Sequence, residues 1–275
     1  MAGIRKRIRH CGVYGHRAKY IQVSCFPYSG NPLPKGRGRK VEVSTPKQKK
    51  LNEKRGRRFF EAVVHANFTD GDYFVHLSYD NEHLPENLAK AQQQVRNYVN
   101  RMNYQAKKKG LPPVVAVWVT EQGKRSGRIH HHMLIKTELP RELVEDLWRA
   151  GFCNADRLKL KNRKNGLAAI CQYMAKSQKT MKEQGASRSW AKSGQLIRPW
   201  DSINDNPRMM SHKKMALLKE LPEDSEQAKA IFEADNPGYE LMSLEKEYRE
   251  EIGQWYFFAR MELKQEPEKG RERRT

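Results

Sequence analysis

The sequence predicts an α+β protein built on an antiparallel β-sheet, and three observations support this. Short β-branched and aromatic segments alternate with amphipathic helical segments between about residues 70 and 180. Two strand-like segments, Val114–Glu121 and Ile129–Lys136, follow each other across the short connection Gln122–Gly127, which favours a hairpin. The order strand, helix, strand, strand, helix, strand, helix is typical of an antiparallel sheet with helices packed on one face.

Local signals position each element of this core. Thr45-Pro46 supplies an N-cap and a proline at the first helical position. Asp70-Gly-Asp makes a turn, Gly110 and Pro112-Pro113 stop a helix, and Gly151 ends another. The predicted elements are a helix from Thr45 to about Ala66, a strand Tyr73–Tyr79, a helix Asn87–Lys109, strands Val114–Glu121 and Ile129–Lys136, a helix Pro140–Ala150, a strand Cys153–Leu160 and a helix Leu167–Ser177. Together they predict a ferredoxin-like (RRM-like) core.

The two ends of the chain differ from this core in composition. Residues 1–44 are rich in basic residues, prolines and a Gly-Arg-Gly-Arg stretch, and we interpret them as a loosely ordered basic arm with a short strand near Tyr20–Phe26. Such an arm either contacts phosphates or is a solvated tail. Residues 213–275 are expected to form a helical extension, with helices at about Asp224–Ala234 and Leu241–Glu262. The central domain is then residues 45–212.

The net charge of the chain indicates a polyanionic partner. Its 275 residues include 53 Lys and Arg against 32 Asp and Glu, a formal charge of +21, and residues 1–58 hold 17 of the basic residues but only two acids. Such a charge causes self-repulsion unless a partner neutralises it. The mean hydropathy is −0.92, and the sequence has neither a long apolar run nor the apolar stretch of a secretory signal. We therefore expect a cytoplasmic protein that binds nucleic acid.

The cysteines and tryptophans give weaker signals. The four cysteines are scattered without a CxxC pair, which argues against a zinc finger and against a disulfide framework, so reduced thiols are expected; they are Cys11, Cys25, Cys153 and Cys171. Trp190 and Trp200 lie among basic residues, where aromatic rings can stack on nucleobases. Packing of this segment onto a domain is the more favoured interpretation.

The segment Gly127–Lys136 is the most informative for function. If Ile129–Lys136 is a strand, His130 and His132 share one face, with Cα atoms about 6.7 Å apart, and His131 lies on the opposite, mostly apolar face. The hairpin would bring Glu121 beside the two histidines. Two imidazoles and one carboxylate suit a divalent ion with open coordination positions, such as Mn²⁺, Mg²⁺ or Zn²⁺. The alternative is that these are surface or hydrogen-bonded core histidines.

A third pattern lies in the helix Leu167–Ser177. Leu167, Ile170, Cys171 and Met174 form an apolar stripe, and Tyr173 and Lys176 are neighbours at i and i+3. A tyrosine with its usual pKa of about 10 is a poor nucleophile, but an adjacent ammonium and a metal-polarised phosphate would favour its attack. Amphipathic helices often carry a Tyr-x-x-Lys pair, so the pattern gains weight only from its position after the histidines.

With these motifs the chain resembles the HUH endonucleases. Gly127-Arg-Ile-His-His-His-Met-Leu resembles their histidine–hydrophobic–histidine motif, Tyr73–Tyr79 the strand motif that precedes it, and Tyr173-Met-Ala-Lys176 the nucleophile motif. The closer similarity is to rolling-circle replication initiators of the filamentous-phage, small-plasmid and prophage type. There, Leu51-Asn-Glu, Asn67–Asp72 and Gly194-Gln-Leu-Ile-Arg-Pro199 also look similar. The resemblance covers roughly residues 44–200.

The resemblance implies a role for each matching residue. Glu121, His130 and His132 would be metal ligands, with Mg²⁺ or Mn²⁺ expected and Zn²⁺ as an alternative. Tyr173 would attack the scissile phosphate to give a 5′-phosphotyrosine and a free 3′-OH, assisted by Lys176. The partners would be single-stranded or hairpin origin DNA, with a host helicase and polymerase in a bacterial cell.

Two positions depart from the pattern of these enzymes. The middle residue of the histidine motif, normally hydrophobic, is His131, either a buried neutral histidine or an alternate ligand. Ala169 and Ser177 occupy the places where some relatives carry a second tyrosine. We infer a single-tyrosine mechanism, which must end its cycle through a second subunit or a water.

Other functions fit parts of the same pattern. A transposase or a mobilisation relaxase would share the chemistry, and a catalytically silent DNA-binding regulator would share the fold. The presence of all five motif residues argues against the regulator. A zinc-stabilised nucleic-acid-binding module is disfavoured by the dispersed cysteines.

Overall fold

The computed structural model describes residues 3–13, 15–28, 45–123, 127–159, 166–183, 190–206, 210–250 and 253–264. These residues form ten strands and six helices, and the strands make two five-stranded antiparallel sheets. The predicted α+β class with antiparallel pairing is therefore confirmed. The chain divides into two compact units, one made of residues 1–52 and 198–275 and the other of residues 53–197.

The elements of the central region follow the predicted order closely. In chain order they are β1 (Gly3–Cys11), β2 (Tyr20–Tyr28), α1 (Pro46–Asn67), β3 (Tyr73–Ser78), α2 (Leu88–Lys108), β4 (Val115–Gln122), β5 (Ile129–Lys136), α3 (Arg141–Asp146), β6 (Cys153–Arg157), α4 (Gly166–Glu183), β7 (Ala191–Ser193), β8 (Trp200–Asn204), α5 (His212–Glu220), α6 (Glu226–Asp235), β9 (Tyr239–Arg249) and β10 (Gln254–Leu263). The predicted N-cap is present, since the Thr45 hydroxyl accepts a hydrogen bond from the backbone N–H of Gln48.

The sheet of the unit 53–197 has the strand order β6-β3-β5-β4-β7. One face packs on α2 and α3, through side chains that include Leu77, Trp118 and Met133. The other face packs on α1 and α4, through Val117, Val119 and Leu134. The sequence predicted helices on one face, and the structure corrects this. Because the central strands carry apolar residues at both alternating sets of positions, both faces need cover.

The sheet of the other unit has the order β8-β1-β2-β10-β9 and packs on α5 and α6. β1 and β2 replace much of the loosely ordered arm predicted for residues 1–44; residues 29–44, with the Gly-Arg-Gly-Arg stretch, lie outside the described residues. The prediction missed β1 because its basic composition looks like that of a tail. In the structure its arginines pair with acids of the segment that contains β8, Arg5 with Asp205 at 2.8 Å and Arg9 with Asp201 at 2.8 Å.

The C-terminal region also differs from the prediction. The helix expected at about Asp224–Ala234 is present as α6. The helix expected at Leu241–Glu262 is wrong, because this segment forms the antiparallel strands β9 and β10. Aromatic residues at the start of β10 favour a strand, and Gly253, with φ +61°, lies in the connection where the chain turns back.

The two tryptophans of uncertain role have different environments. The Trp190 ring lies 5.4 Å from the ring of Phe60, so it packs within its unit. Trp200 is 56% exposed and stacks on His10 at 3.8 Å between ring centroids. The packing interpretation therefore describes Trp190, whereas the outer face of Trp200 is open.

The predicted functional division into arm, endonuclease domain and extension stays a prediction. Its boundaries, at residues 44/45 and 212/213, differ from those of the compact units, at 52/53 and 197/198. Within the described residues, no helix combines the length and the apolar character needed to cross a bilayer.

Gly151 allows the segment after α3 to pass close to the end of β3. The backbone N–H of Asp80 donates to the carbonyl of Ala150 at 3.1 Å, and that of Ser78 to the carbonyl of Phe152 at 2.9 Å. Gly151 has φ +137°, and a Cβ there would lie 2.5 Å from the backbone nitrogen of Asp80. Any side chain at this position would push the two segments apart.

We therefore expect Gly151→Ala to lower the free energy of unfolding by about 3 kcal/mol or more, through backbone strain and overpacking. Gly110→Ala is the matched control, because Gly110 also has a positive φ but an added Cβ would meet no atom of the described residues within 4 Å. It should lose about 1 kcal/mol, from the left-handed backbone alone. Urea unfolding of both variants measures the difference, and equal small losses would contradict the close approach.

Candidate functional site

The β4–β5 hairpin brings the three predicted ligands together. The register pairs Glu121 with His130, and His132 follows two residues later on the same face. One carboxylate oxygen of Glu121, Oε2, lies 3.5 Å from Nε2 of His130 and 3.3 Å from Nε2 of His132. The candidate ligand atoms of the three residues all lie within 4.8 Å of one another. They are therefore arranged around one small volume.

The donor set and its burial fit a divalent metal ion. Two imidazole nitrogens and one carboxylate oxygen leave coordination positions open for a substrate. Nε2 of His132 is buried and makes no hydrogen bond in the described part of the chain, although it points at the carboxylate. Glu121 and His130 have side chains 28% and 32% exposed, so the group is open to solvent on one side. The group could thus hold a metal ion that a phosphate can reach.

His132 is held in the neutral form that a metal ligand requires. Burial, and then the nearby imidazoles of His76 and His130, lower the pKa of His132 to about 4. A neutral imidazole offers a nitrogen lone pair at neutral pH, so a metal ion does not have to displace a tightly bound proton.

His131 lies on the opposite face of the sheet, in the core against α2. Its Nε2 is 2.8 Å from the Tyr79 hydroxyl and its Nδ1 is 2.9 Å from the Thr120 hydroxyl, which is also bonded by Gln92. Burial lowers the pKa of His131 to about 3, so the ring is neutral. Because both ring nitrogens are engaged away from Glu121, the structure agrees with the buried neutral interpretation of this residue.

His76 is a member of the site that the sequence analysis missed. It lies on β3, directly opposite His132 in the β3–β5 register, and its Nδ1 is 3.0 Å from Nδ1 of His132. Burial lowers the pKa of His76. The strand alternation of Tyr73–Ser78 puts Phe74, His76 and Ser78 on one face, which is the signal that could have revealed it. That signal identifies a neighbour of His132 only when the register of β3 and β5 is known.

Tyr173 reaches the same site from α4. Buried Leu167, Ile170 and Met174 fix the helix on the sheet, and Tyr173 projects beside this stripe, 45% exposed. Its ring lies 4.9 Å from the ring of His132 and 6.3 Å from that of His76. Burial, and then the negative charge of Glu121, raise the pKa of Tyr173. The phenol therefore stands next to the candidate ligand group in its protonated form.

Lys176 lies three residues beyond Tyr173 on α4, and its side chain is outside the described residues. Two other segments of the resemblance meet in the structure. The Asn67 side-chain amide donates to the carbonyl of Ile197 at 2.9 Å, and its oxygen accepts from the N–H of Ile197 at 2.7 Å. These paired bonds join the end of α1 to the segment Gly194–Pro199.

Removal of one ligand should weaken metal binding strongly. We expect Glu121→Gln to reduce the affinity for Mn²⁺ at least tenfold, because the amide has no negative charge. Glu138→Gln is the matched control, since Glu138 is exposed just beyond the end of β5. Titration calorimetry of the metal-free protein with Mn²⁺ measures both affinities. Equal affinities of the two variants would argue against Glu121 as a ligand.

The buried neutral histidine should make stability depend on pH. The pKa of His131 is about 3 in the folded state and about 6.5 in an unfolded chain, so between these values the unfolded state binds more protons and stability falls as pH falls. From pH 7 to pH 5 this residue alone should cost about 2 kcal/mol.

Urea unfolding of the metal-free protein at the two pH values tests this expectation. His131→Leu should be less stable at pH 7, because Tyr79 and Thr120 lose their partner, yet it should show a smaller loss between pH 7 and pH 5. An unchanged pH dependence in this variant would show that His131 is not the neutral buried group described above.

Comparison with curated proteins and with solved structures gives no significant match. A family model described as replication-associated protein, of the ORF2 and gene 2 protein type, matches residues 72–178. The matched segment runs from the turn before β3 into α4 and contains His76, Tyr173 and the three candidate ligands. Over this segment the chain is thus similar to the replication-associated proteins of that family, which is consistent with a rolling-circle replication initiator.

Proposed function

We propose that the protein is a metal-dependent DNA strand transferase that nicks and rejoins single-stranded DNA and so starts rolling-circle replication. The observation that carries this proposal is the position of Tyr173, whose ring lies 4.9 Å from His132 of the candidate metal group. The match of residues 72–178 to replication-associated proteins supports the biological role. The proposed metal ligands are Glu121, His130 and His132.

A bound divalent ion would supply neutralisation of the charge that grows on the non-bridging phosphate oxygens in the transition state. Mg²⁺ or Mn²⁺ suits this chemistry, and Zn²⁺ is compatible with the imidazoles. The protein itself supplies position: the hairpin holds the ligands, and α4 holds the phenol beside them. Pre-set geometry of this kind lowers the barrier because less freedom is lost on reaching the transition state.

In the proposed step the phenolic oxygen of Tyr173 forms a bond to phosphorus while the bond from phosphorus to the 3′-oxygen breaks. The phenol loses its proton to solvent, and the departing 3′-oxygen takes up a proton from solvent. The products are a 5′-phosphotyrosine on the protein and a free 3′-OH for a polymerase. Since a phosphodiester replaces a phosphodiester, the step conserves the bond and can run backwards to rejoin the strand.

The electrostatics of Tyr173 connect metal binding to this step. The Glu121 charge is one of the causes that raise the pKa of the phenol. Neutralising that charge would ease loss of the phenol proton. We propose that Lys176, one helical turn beyond Tyr173, assists in the same direction by placing an ammonium near the phosphate. Its position on α4 supports this role.

Within the described residues, the site contains one tyrosine of the proposed type. Ala169 and Ser177 lie on α4 at the positions where a second one would be expected. A cycle with one nucleophile must release the linked strand by another route, and we propose that a second copy of the protein or a water does so. Affinity for the DNA, in contrast, would come mainly from phosphate contacts of the basic surface.

Covalent capture of DNA tests the proposal. The probes are single-stranded oligonucleotides that tile the DNA element encoding the chain, each labelled at either the 3′ or the 5′ end. With Mn²⁺ or Mg²⁺ we expect a detergent-resistant complex that carries the 3′ label, and release of a shorter 5′-labelled fragment. Tyr173→Phe should lower the yield at least about 1000-fold, because it removes the nucleophile.

Tyr104→Phe is the matched control, since Tyr104 is an exposed tyrosine of α2, and it should capture DNA as the unchanged protein does. Capture retained in Tyr173→Phe would exclude the proposed nucleophile. Binding of the oligonucleotides without cleavage in any divalent metal would instead support a catalytically silent DNA-binding regulator.

A further inference from the structure

We propose that His76 is a positioning residue that orients His132 for metal binding, by accepting a hydrogen bond from Nδ1 of His132. The inference rests on the proposed metal site and adds a residue outside the ligand group. His76 comes from β3, whereas the ligands come from β4 and β5. The proposed effect is on the direction in which Nε2 of His132 points, and not on the reacting atoms.

The strand register places the two rings together. His76 and His132 are directly opposite each other in the antiparallel pair β3–β5. Their Nδ1 atoms are 3.0 Å apart, and their rings meet edge to face, at 87° with centroids 4.7 Å apart. The separation is that of an N–H···N hydrogen bond. The far nitrogen of His132, Nε2, then points at Glu121.

The chemistry of imidazole gives this bond a direction. A neutral imidazole carries one N–H, and a ring that binds a metal through Nε2 must present its lone pair there, so its proton is on Nδ1. Nδ1–H of His132 must therefore donate, and Nδ1 of His76 lies at bonding distance to accept. His76 then carries its own proton on Nε2. Carboxylates and backbone carbonyls commonly fill this accepting role in metal sites, and here a second imidazole does so.

Neighbouring rings hold His76 in place for this role. The Phe74 ring meets the His76 ring edge to face, with centroids 4.6 Å apart, and lies 6.3 Å from both His132 and Tyr173. Such contacts restrict the rotation of His76 about its side-chain bonds. Because Phe74 and His76 are on the same face of β3 as each other, one strand supports the ligand ring and the phenol together.

A matched pair of substitutions separates hydrogen bonding from packing. In His76→Asn the amide oxygen takes nearly the place of Nδ1 and still accepts a hydrogen bond, whereas His76→Leu has a similar size and accepts none. We expect His76→Leu to weaken Mn²⁺ binding 10- to 100-fold, as loss of such partners does in other sites. His76→Asn should stay within about threefold of the unchanged protein.

The measurement is titration calorimetry of the metal-free proteins with Mn²⁺, without DNA. Unfolding in EDTA checks that both variants are folded. Nitrogen NMR of the imidazoles in the Zn²⁺-loaded unchanged protein gives a second readout, and it should show the His132 proton on Nδ1 and the His76 proton on Nε2. A merely structural role of His76 would not predict these proton positions.

The outcomes distinguish this inference from the proposed function. Unchanged affinity in His76→Leu, equal losses in both variants, or a His76 proton on Nδ1 would overturn the inference. An unchanged protein that binds no divalent ion would overturn both proposals. Metal binding that follows the expected order, in a protein that never captures DNA, would support the role of His76 and overturn the strand transferase.

Discussion

The register of the strand pairs β3–β5 and β4–β5 is the constraint on which the site depends. Side chains alternate between the faces of a strand, so a slip of one residue would exchange His131 with its two neighbours. The structure opposes such a slip from both sides. His131 is anchored to Tyr79 and Thr120 in the core on α2, while Leu134 is buried against α1 and α4. The anchored core histidine thus determines which imidazoles face Glu121.

Local patterns in the sequence were sufficient for the central elements and for the grouping of Glu121, His130 and His132. These depend on interactions within one hairpin, where strand alternation and a short connection determine which residues meet. His76 was missed because its importance arises from pairing with a strand more than fifty residues away. The first sheet was missed for a similar reason: the acids that neutralise β1 lie about 190 to 200 residues further along the chain. The aromatic start of β10 was a local strand signal that the helical interpretation overlooked.

The candidate site joins two rigid supports. The hairpin provides the candidate ligands from a sheet covered on both faces, and α4 provides Tyr173 from a helix fixed by its apolar stripe. Sites on such elements hold their geometry better than sites on loops. The partly exposed Glu121 and His130 leave one side accessible, so rigidity and access to a polymer are combined. The match to replication-associated proteins covers the segment in which these two supports meet.

The acids that face β1 also change what the formal charge of +21 means. Arg5, Arg7 and Arg9 are bound to Asp205 and Asp201 within the sheet, so much of their attraction for a polyanion is spent internally. A cation already matched by a carboxylate displaces few counterions when a nucleic acid approaches. The number of ions released on complex formation would consequently be much smaller than a count of basic residues suggests, and long-range attraction would be governed by the unmatched part of the surface.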